Sequence, residues 1–154
     1  MKLLGSDPII ASKFKGVYSI DQVRYVDYTN QLIVVNLDPW YKPGSHWVVL
    51  YNSDQDIVEF FDSRGKKPNV TVQQSLLLRN NTCKYTTMRT QNYGSMTCGL
   101  FCFYYSYYAC RGCRLGEIIS VFSSNLTRNE EIVLRFTQNY VKSFDIDVSL
   151  NHMS

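Results

Sequence analysis

The sequence predicts an α+β fold in which helices and strands are mixed rather than strictly alternating. Three runs rich in β-branched and aromatic residues predict strands at 31–37, 46–51 and 56–61, and the last two are close enough to pair as a hairpin. Residues 98–111 are apolar and carry no charge before Arg111, which predicts a helix buried on all sides. Such a mixture of buried strands and a buried helix is typical of the α+β class.

The remaining elements are predicted from local signals. Asp7 before Pro8 predicts the start of a short helix that passes through Phe14 and ends at Gly16. Residues 17–29 give no clear pattern. Further segments predict a helix at 70–79, a half-exposed strand at 82–90 and helices near 116–123 and 128–142.

The last of these helices has a recognisable beginning. Thr127 is followed three residues later by Glu130, a spacing that predicts a capping box at its N-terminus. Beyond it, residues 143–154 lack a clear apolar pattern, and we expect a loosely held tail in which His152 is inert.

Length and composition predict one globular domain, residues 1–154, with an aromatic core. The chain has 154 residues, 45% of them apolar, with 12 tyrosines and 8 phenylalanines. It has no run of about 18 apolar residues and no secretory leader, so we expect an intracellular monomer without a membrane partner.

The cysteines argue against a disulfide scaffold. There are five, an odd number, in a chain that we expect to be intracellular. Cys110 and Cys113 have the spacing of a metal-binding pair, but zinc usually needs four ligands. Packed thiols at a helix end explain this pair better, and we predict no metal.

Charge is unevenly distributed although the net charge is only +3. No acidic residue occurs between Asp62 and Glu117, which could give a positive surface for a polyanion such as DNA. Alternatively, folding could bring acidic residues of other segments close and leave an ordinary solvated face. The basic residues of this span are Arg64, Lys66, Lys67, Arg79, Lys84, Arg89, Arg111 and Arg114.

Four residues supply the parts of a thiol hydrolase. Cys98 would be the nucleophile, and its position at a helix start favours the thiolate. His46, which is one of only two histidines in the chain, would be the base, and Asp62 would orient its ring. Gln91, with the backbone N–H of Cys98, could bind an oxyanion. Each residue alone has an ordinary structural explanation, so the prediction depends on the set.

The local motifs resemble those of the adenain family, the adenovirus maturation proteases. Gly-Ser-His-Trp at His46 is followed sixteen residues later by Asp62 in Phe-Phe-Asp-Ser, and Gln91 lies seven residues before Cys98. The run from Cys98 to Cys102, Cys-Gly-Leu-Phe-Cys, matches the adenain nucleophile helix. The resemblance spans about residues 5–142 and is specific over 44–104. A more distant resemblance is to the Ulp1-type deSUMOylating peptidases of the same clan.

This resemblance implies a papain-like cysteine protease fold in permuted order, with a central mixed sheet packed against the nucleophile helix. It implies that Trp47 packs beside the catalytic imidazole and that Gly99 allows close approach of the substrate. The implied activity is hydrolysis of viral precursor proteins at glycine-containing sites, in the host nucleus and the virion.

Two activators are also implied by the resemblance. Adenain is stimulated by DNA and by a viral peptide that forms a disulfide, and Cys83 lies in roughly the corresponding region. No other cofactor is expected for the chemistry.

The chain also departs from adenain. It is shorter and has Asp62 where adenain has glutamate, while Ulp1-type enzymes have aspartate. A related DNA virus or a Polinton-type element is the expected origin. Two alternatives stay open: an isopeptidase for a ubiquitin-like modifier, and a non-catalytic nucleic-acid-binding module with a degenerate protease fold.

Overall fold

A five-stranded mixed sheet forms the centre of the protein, which confirms the predicted α+β class. The computed structural model describes the backbone of residues 2–153 and the side chains of residues 2–144. The strands follow one another across the sheet in chain order. They are β1 (Phe14–Ser19), β2 (Leu32–Asn36), β3 (Trp47–Asp54), β4 (Ile57–Phe61) and β5 (Thr82–Tyr85).

The three central strands are antiparallel neighbours, and the two outer strands run parallel to the strands beside them. The predicted hairpin of β3 and β4 is confirmed, with Val49 opposite Phe61 and Leu50 opposite Phe60. Because these strands are antiparallel, the beginning of β3 and the end of β4 lie at the same edge of the sheet. This edge holds the candidate site.

Both faces of the sheet are covered. All five residues of β2 are buried, as expected for a central strand between two apolar layers. Alternate residues of β2 point to opposite sides: Leu32 and Val34 belong to one apolar cluster, and Ile33 and Val35 to the other.

The two clusters have different partners. The first contains the helix that begins at Cys98 and its aromatic neighbours, and the second contains the 3₁₀ turn Val23–Tyr25 and the helix that follows β4. The helices are α1 (Lys2–Ser6), α2 (Pro8–Ala11), α3 (Val70–Leu78), α4 (Cys98–Ala109), α5 (Leu115–Ile119) and α6 (Leu126–Met153).

Helix α4 is buried because its uncharged sequence has no face suited to water. One side packs on the sheet, where the ring of Tyr105 stacks on Phe61 with ring centroids 5.0 Å apart. On another side Phe103 and Tyr107 pack against Phe136 and Tyr140 of α6 in tilted or edge-on arrangements. The nucleophile candidate is therefore at the end of a rigid element.

The predicted N-terminal helix is wrong in its extent. Asp7 does cap a helix, accepting hydrogen bonds from the backbone N–H groups of Ile9 and Ile10, but that helix ends at Ala11. Phe14 and Gly16 lie in β1, which pairs with β2. The pairing with a buried strand outweighs the weak local helix signal here.

The predicted capping box of α6 is also wrong. The helix begins at Leu126, and Asn125 caps it by accepting from the backbone N–H of Arg128. Thr127 therefore lies inside the helix, and Glu130 binds elsewhere. The helix continues to Met153, beyond the predicted end near residue 142. The expectation for His152 concerns a side chain outside the described residues.

Two strands end at other residues than the sequence predicts. Strand β3 extends to Asp54, three residues beyond its predicted end, while β5 ends at Tyr85, five residues short of it. Across the described part of the chain, no helix has the length and apolar character needed to cross a bilayer.

Candidate active site

His46 and Asp62 meet at the edge of the sheet where β3 begins and β4 ends. His46 immediately precedes the first residue of β3, and Asp62 immediately follows the last residue of β4. The ring atom Nε2 lies 2.6 Å from Oδ1 of the carboxylate, and both side chains are buried. Antiparallel pairing of the two strands thus joins residues that are sixteen positions apart.

The carboxylate determines how the imidazole can act. A carboxylate only accepts hydrogen bonds, so Nε2 carries the proton in this pair. Oδ1 of Asp62 also accepts from the backbone N–H of Arg64 at 2.8 Å, which fixes the carboxylate in the turn. In the neutral ring, Nδ1 therefore presents a lone pair. Nδ1 is buried and has no hydrogen-bond partner among the described residues.

Cys98 and His46 influence the pKa of each other. Cys98 is the first residue of α4, where backbone N–H groups have no intrahelical acceptor. Burial on its own raises the pKa of the Cys98 thiol. Hydrogen bonding and charge interaction with His46, together with the backbone N–H groups of Trp47 and Gly99, outweigh burial and lower that pKa below its ordinary value.

The shift of His46 has the complementary sign. Burial alone lowers the pKa of the imidazole, but the hydrogen bond with Asp62 and the influence of Cys98 outweigh it and raise the pKa above 6.5. The two shifts together favour a thiolate beside an imidazolium. No hydrogen bond of ordinary geometry joins the thiol to Nδ1.

Gln91 is completely buried and held at both ends of its amide. Its Oε1 accepts from the hydroxyl of Ser63 at 2.6 Å, and its Nε2 donates to the carbonyl oxygen of Ser95 at 2.7 Å. The carbonyl oxygen of Ser95 can only accept, so it identifies the nitrogen end of the amide and defines its orientation. Nε2 has two hydrogens, and Ser95 uses one of them.

Trp47 and Gly99, predicted as supporting residues, both contribute backbone N–H groups toward Cys98. The ring of Trp47 covers Gly44, where an added Cβ would lie 2.8 Å from ring atom Cζ2. A larger residue here, two positions before His46, would require the Trp47 ring and the Asn36 amide to move. The carbonyl oxygen of Trp47 accepts from the thiol of Cys102, one turn along α4.

The predicted basic surface divides into two groups. Three of its arginines are used inside the fold: Arg79 lies over the ring of Tyr28, Arg89 donates to the Gln91 carbonyl oxygen at 2.8 Å, and Arg111 pairs with Asp7 at 2.7 Å. The others make no ion pair with a described carboxylate. These are Arg64, Lys66, Lys67, Lys84 and Arg114.

Two of the other cysteines have a pKa shifted in the opposite direction to that of Cys98. Cys83 lies on the edge strand β5, and burial raises the pKa of its thiol to about 11. Burial likewise raises the pKa of Cys110 to about 11. All five cysteines are free thiols. Among residues 2–144, no three metal-binding side chains come together.

Sequence reasoning missed three residues that hold this site. Ser63 orients the amide of Gln91, although only its position next to Asp62 could have drawn attention to it. Asn129 and Glu130 of α6 bind the segments on either side of Gln91. The spacing of Thr127 and Glu130 predicts a local cap, whereas the contact between Glu130 and Asn92, which are 38 residues apart, leaves no local pattern in the sequence.

Comparison with known proteins gives a likeness of fold. No protein-family model matches the sequence, and no curated protein matches it. The crystal structure of the ASFV pS273R protease superposes with a TM-score of 0.50 at 18% sequence identity. The match covers 81% of this chain and 61% of that protease, so the chain spans less than two thirds of its length. The chain thus shares its mixed α+β fold with a viral protease.

Proposed function

We propose that this protein is a cysteine endopeptidase in which Cys98 attacks the peptide carbonyl and His46 transfers protons. Asp62 orients the His46 ring and stabilises its protonated form. One observation carries the proposal: Asp62 binds one nitrogen of a buried imidazole, Asp62 and Cys98 raise the pKa of that imidazole, and His46 lowers the pKa of the Cys98 thiol. A histidine with a purely structural role would not need a cysteine whose pKa it lowers. The shared fold with a protease supports the same conclusion.

Acylation begins with the thiolate of Cys98. Its sulfur forms a bond to the carbonyl carbon, and the carbonyl π electrons move to oxygen. The backbone N–H of Cys98 and the free N–H of Gln91 are the proposed donors to that oxyanion. When the carbonyl reforms, the C–N bond breaks and the imidazolium of His46 protonates the departing amine.

Deacylation uses the neutral imidazole that results. Nδ1 of His46 takes a proton from water, and the water oxygen attacks the thioester carbon. Collapse of the second tetrahedral intermediate releases the carboxylic acid and returns the thiolate. The carboxylate of Asp62 stabilises the imidazolium each time it forms and keeps its ring in place.

A polypeptide substrate fits the surroundings of the site. The loops that precede His46 and Cys98 expose large apolar side chains, among them Trp40, Tyr41, Tyr93 and Met96, the last 92% exposed. Exposed apolar side chains next to a reactive centre are suited to gripping an extended peptide. We propose glycine-containing sites of viral precursor proteins as substrates, acted on in the host nucleus and virion by a protease of the permuted papain-like arrangement.

An isopeptidase acting on a ubiquitin-like modifier is the second candidate, and Asp62 is the residue that favours it. The test offers two substrates to the same enzyme, a peptide library with internal glycines and a modifier fusion with a C-terminal Gly-Gly junction. Cleavage of the fusion alone would replace the endopeptidase proposal with this one.

Peptide hydrolysis by the wild type and by Cys98→Ala tests the proposed function. We expect cleavage by the wild type and none by Cys98→Ala. Cys113→Ala serves as a matched control, because that partly buried cysteine lies beyond the C-terminal end of α4, and it should cleave as the wild type does. Hydrolysis of the peptide by Cys98→Ala at the rate of the wild type would refute the proposal.

Two activators are proposed together with this function. DNA would bind the five arginines and lysines that make no ion pair with a described carboxylate, Arg64, Lys66, Lys67, Lys84 and Arg114, so stimulation should weaken with salt. A peptide supplied as a mixed disulfide, which exchanges with the Cys83 thiol and releases a small thiol, would stimulate the wild type but not Cys83→Ala. Its reaction should be slow at neutral pH, because burial disfavours the thiolate of Cys83.

A further inference from the structure

The first turns of α6 reach across to the chain segment that carries Gln91 and Cys98. The carboxylate of Glu130 accepts from the backbone N–H of Asn92 at 3.1 Å and from its side-chain amide at 3.3 Å. It also accepts from the hydroxyl of Thr97 at 2.9 Å. Glu130 thus binds the residue after Gln91 and the residue before Cys98.

The neighbouring Asn129 binds the residue on the other side of Gln91. It is fully buried, and its amide donates to the carbonyl oxygen of Thr90 at 3.2 Å and to that of Ser123 at 2.8 Å. Its own oxygen accepts from the backbone N–H of Ser123. Consecutive residues of one helix therefore hold the residues on both sides of Gln91.

The loop between the two oxyanion donors has little packing of its own. Tyr93 and Met96 are exposed, and a Cβ added at Gly94 would meet no atom within 4 Å. The hydroxyls of Ser95 and Thr97 lie 2.7 Å apart, and the Ser95 carbonyl accepts from the Gln91 amide. A continuous chain of hydrogen bonds thus runs from α6 through the loop to the oxyanion candidate.

We propose that Glu130 is a positioning residue, which acts with Asn129 to hold Gln91 and the Cys98 N–H at the spacing needed for one oxyanion. This inference rests on the proposed hydrolase function. Donors aimed at an oxyanion are effective only when their positions are fixed before the reaction. A loop with exposed side chains cannot fix them alone, and α6 supplies the rigid attachment.

Two kinds of substitution separate positioning from general support. Glu130→Ala removes every bond from this side chain to the loop. Glu130→Gln keeps the oxygen that binds the Asn92 N–H and the Thr97 hydroxyl and loses only the bond from the Asn92 amide. Glu131→Ala is the matched control, because that exposed neighbour makes no side-chain hydrogen bond among the described residues.

Peptide hydrolysis and alkylation of Cys98 by iodoacetamide are measured side by side. Alkylation needs the thiolate but forms no oxyanion, so it reports the Cys98–His46 pair alone. For Glu130→Ala we expect kcat to fall by about 10- to 100-fold with KM nearly unchanged. The alkylation rate and its pH profile should stay within about twofold of the wild type, since a thiolate needs no oxyanion donor. Glu130→Gln should recover most of the lost kcat, and Glu131→Ala should match the wild type.

Each outcome is decisive. Unchanged hydrolysis in Glu130→Ala would overturn the positioning role and leave the protease proposal intact. A parallel loss of hydrolysis and alkylation would also overturn it, since it would indicate general disruption of the site. Absence of hydrolysis by the wild type would instead refute the proposed function, and the positioning role with it. Faster amide hydrogen exchange over residues 92–98 in Glu130→Ala is expected in addition, and unchanged exchange would contradict the inference.

Discussion

Nε2 of His46 and Oδ1 of Asp62 lie 2.6 Å apart at the edge of the sheet, and both residues are almost entirely buried. The pair is formed by adjacent strand ends, so its geometry depends on the register of β3 and β4 and not on a flexible loop. The other ring nitrogen has no hydrogen-bond partner among the described residues. This relationship makes the charge of the imidazole depend on the carboxylate.

Replacing Asp62 with asparagine should narrow the pH range of activity. The amide oxygen can still accept from Nε2 and from the Arg64 N–H, so ring orientation is retained. The loss of charge should lower the pKa of His46 and raise that of Cys98, because an anion no longer stabilises the imidazolium. The alkaline limb of kcat/KM then moves to lower pH and the acidic limb to higher pH.

At the optimum, kcat/KM of Asp62→Asn should fall by about tenfold, because the charge-assisted hydrogen bond between His46 and Asp62 becomes a neutral one. A pH profile of hydrolysis measures both limbs, which belong to the coupled pair rather than to either residue. Asp56→Asn is the control, because Asp56 is an exposed turn residue. A wild-type profile in Asp62→Asn would show that another group orients the imidazole.

Alkylation should distinguish Cys98 from Cys102, which lies one turn away on the same helix. Complete burial raises the pKa of Cys102 well above its ordinary value, whereas the pKa of Cys98 is lowered. At pH 7, iodoacetamide should therefore modify Cys98 at least about tenfold faster than Cys102, as read by mass spectrometry of the digested protein. His46→Ala should slow the reaction of Cys98. Equal rates at both cysteines would favour the non-catalytic nucleic-acid-binding module.

The sequence nominates four candidate residues because their local settings are short and distinctive, and the structure brings His46 and Asp62 of this set into contact. The strands around His46 and Asp62 were predicted for a related reason: their apolar runs are strong and bounded by turns. Strand β1 was missed because its burial pattern alternates weakly and its neighbour in the sheet is distant in sequence. The roles of Ser63 and Glu130 were missed because their partners lie 28 to 38 residues away.

Gly65 should be more sensitive to substitution than Gly94, although both have nearly the same positive φ. At Gly65, with φ of 71°, an added Cβ would lie 2.6 Å from the backbone nitrogen of Arg89. At Gly94, with φ of 70°, it would meet nothing within 4 Å. Gly65→Ala should therefore cost about 2–4 kcal/mol of unfolding free energy and Gly94→Ala about 1 kcal/mol.

Urea unfolding of the two glycine variants measures this difference. Activity adds a second readout, because the turn at Gly65 holds Asp62 and Ser63 against the segment that leads to Gln91. Gly65→Ala should lose peptide hydrolysis even where it remains folded. Equal losses of unfolding free energy at the two positions would mean that the turn can move away from residues 87–89 without destabilising the fold.

Arg111 should contribute to stability rather than to DNA binding. Its guanidinium lies 2.7 Å from the Asp7 carboxylate, with side chains 26% and 4% exposed, and stacks on the ring of Tyr107. Arg111→Met should lower the unfolding free energy by about 1–2 kcal/mol at pH 7, between the limits for exposed and buried pairs. Lys67→Met, at an exposed residue, should leave it unchanged.

The pH dependence of that loss tests its origin. Burial raises the pKa of Asp7, but the bonds from Arg111 and from the helix N-terminus outweigh it and hold the pKa below 3.8. A carboxyl group whose pKa is depressed in the folded protein stabilises the fold at pH values above its pKa in the unfolded chain. This stabilisation disappears as the pH falls through the pKa of the folded state. The difference between wild type and Arg111→Met should therefore be largest above about pH 5 and shrink toward pH 3, as followed by urea unfolding. A difference that is constant with pH would attribute the loss to packing on Tyr107 instead of the ion pair.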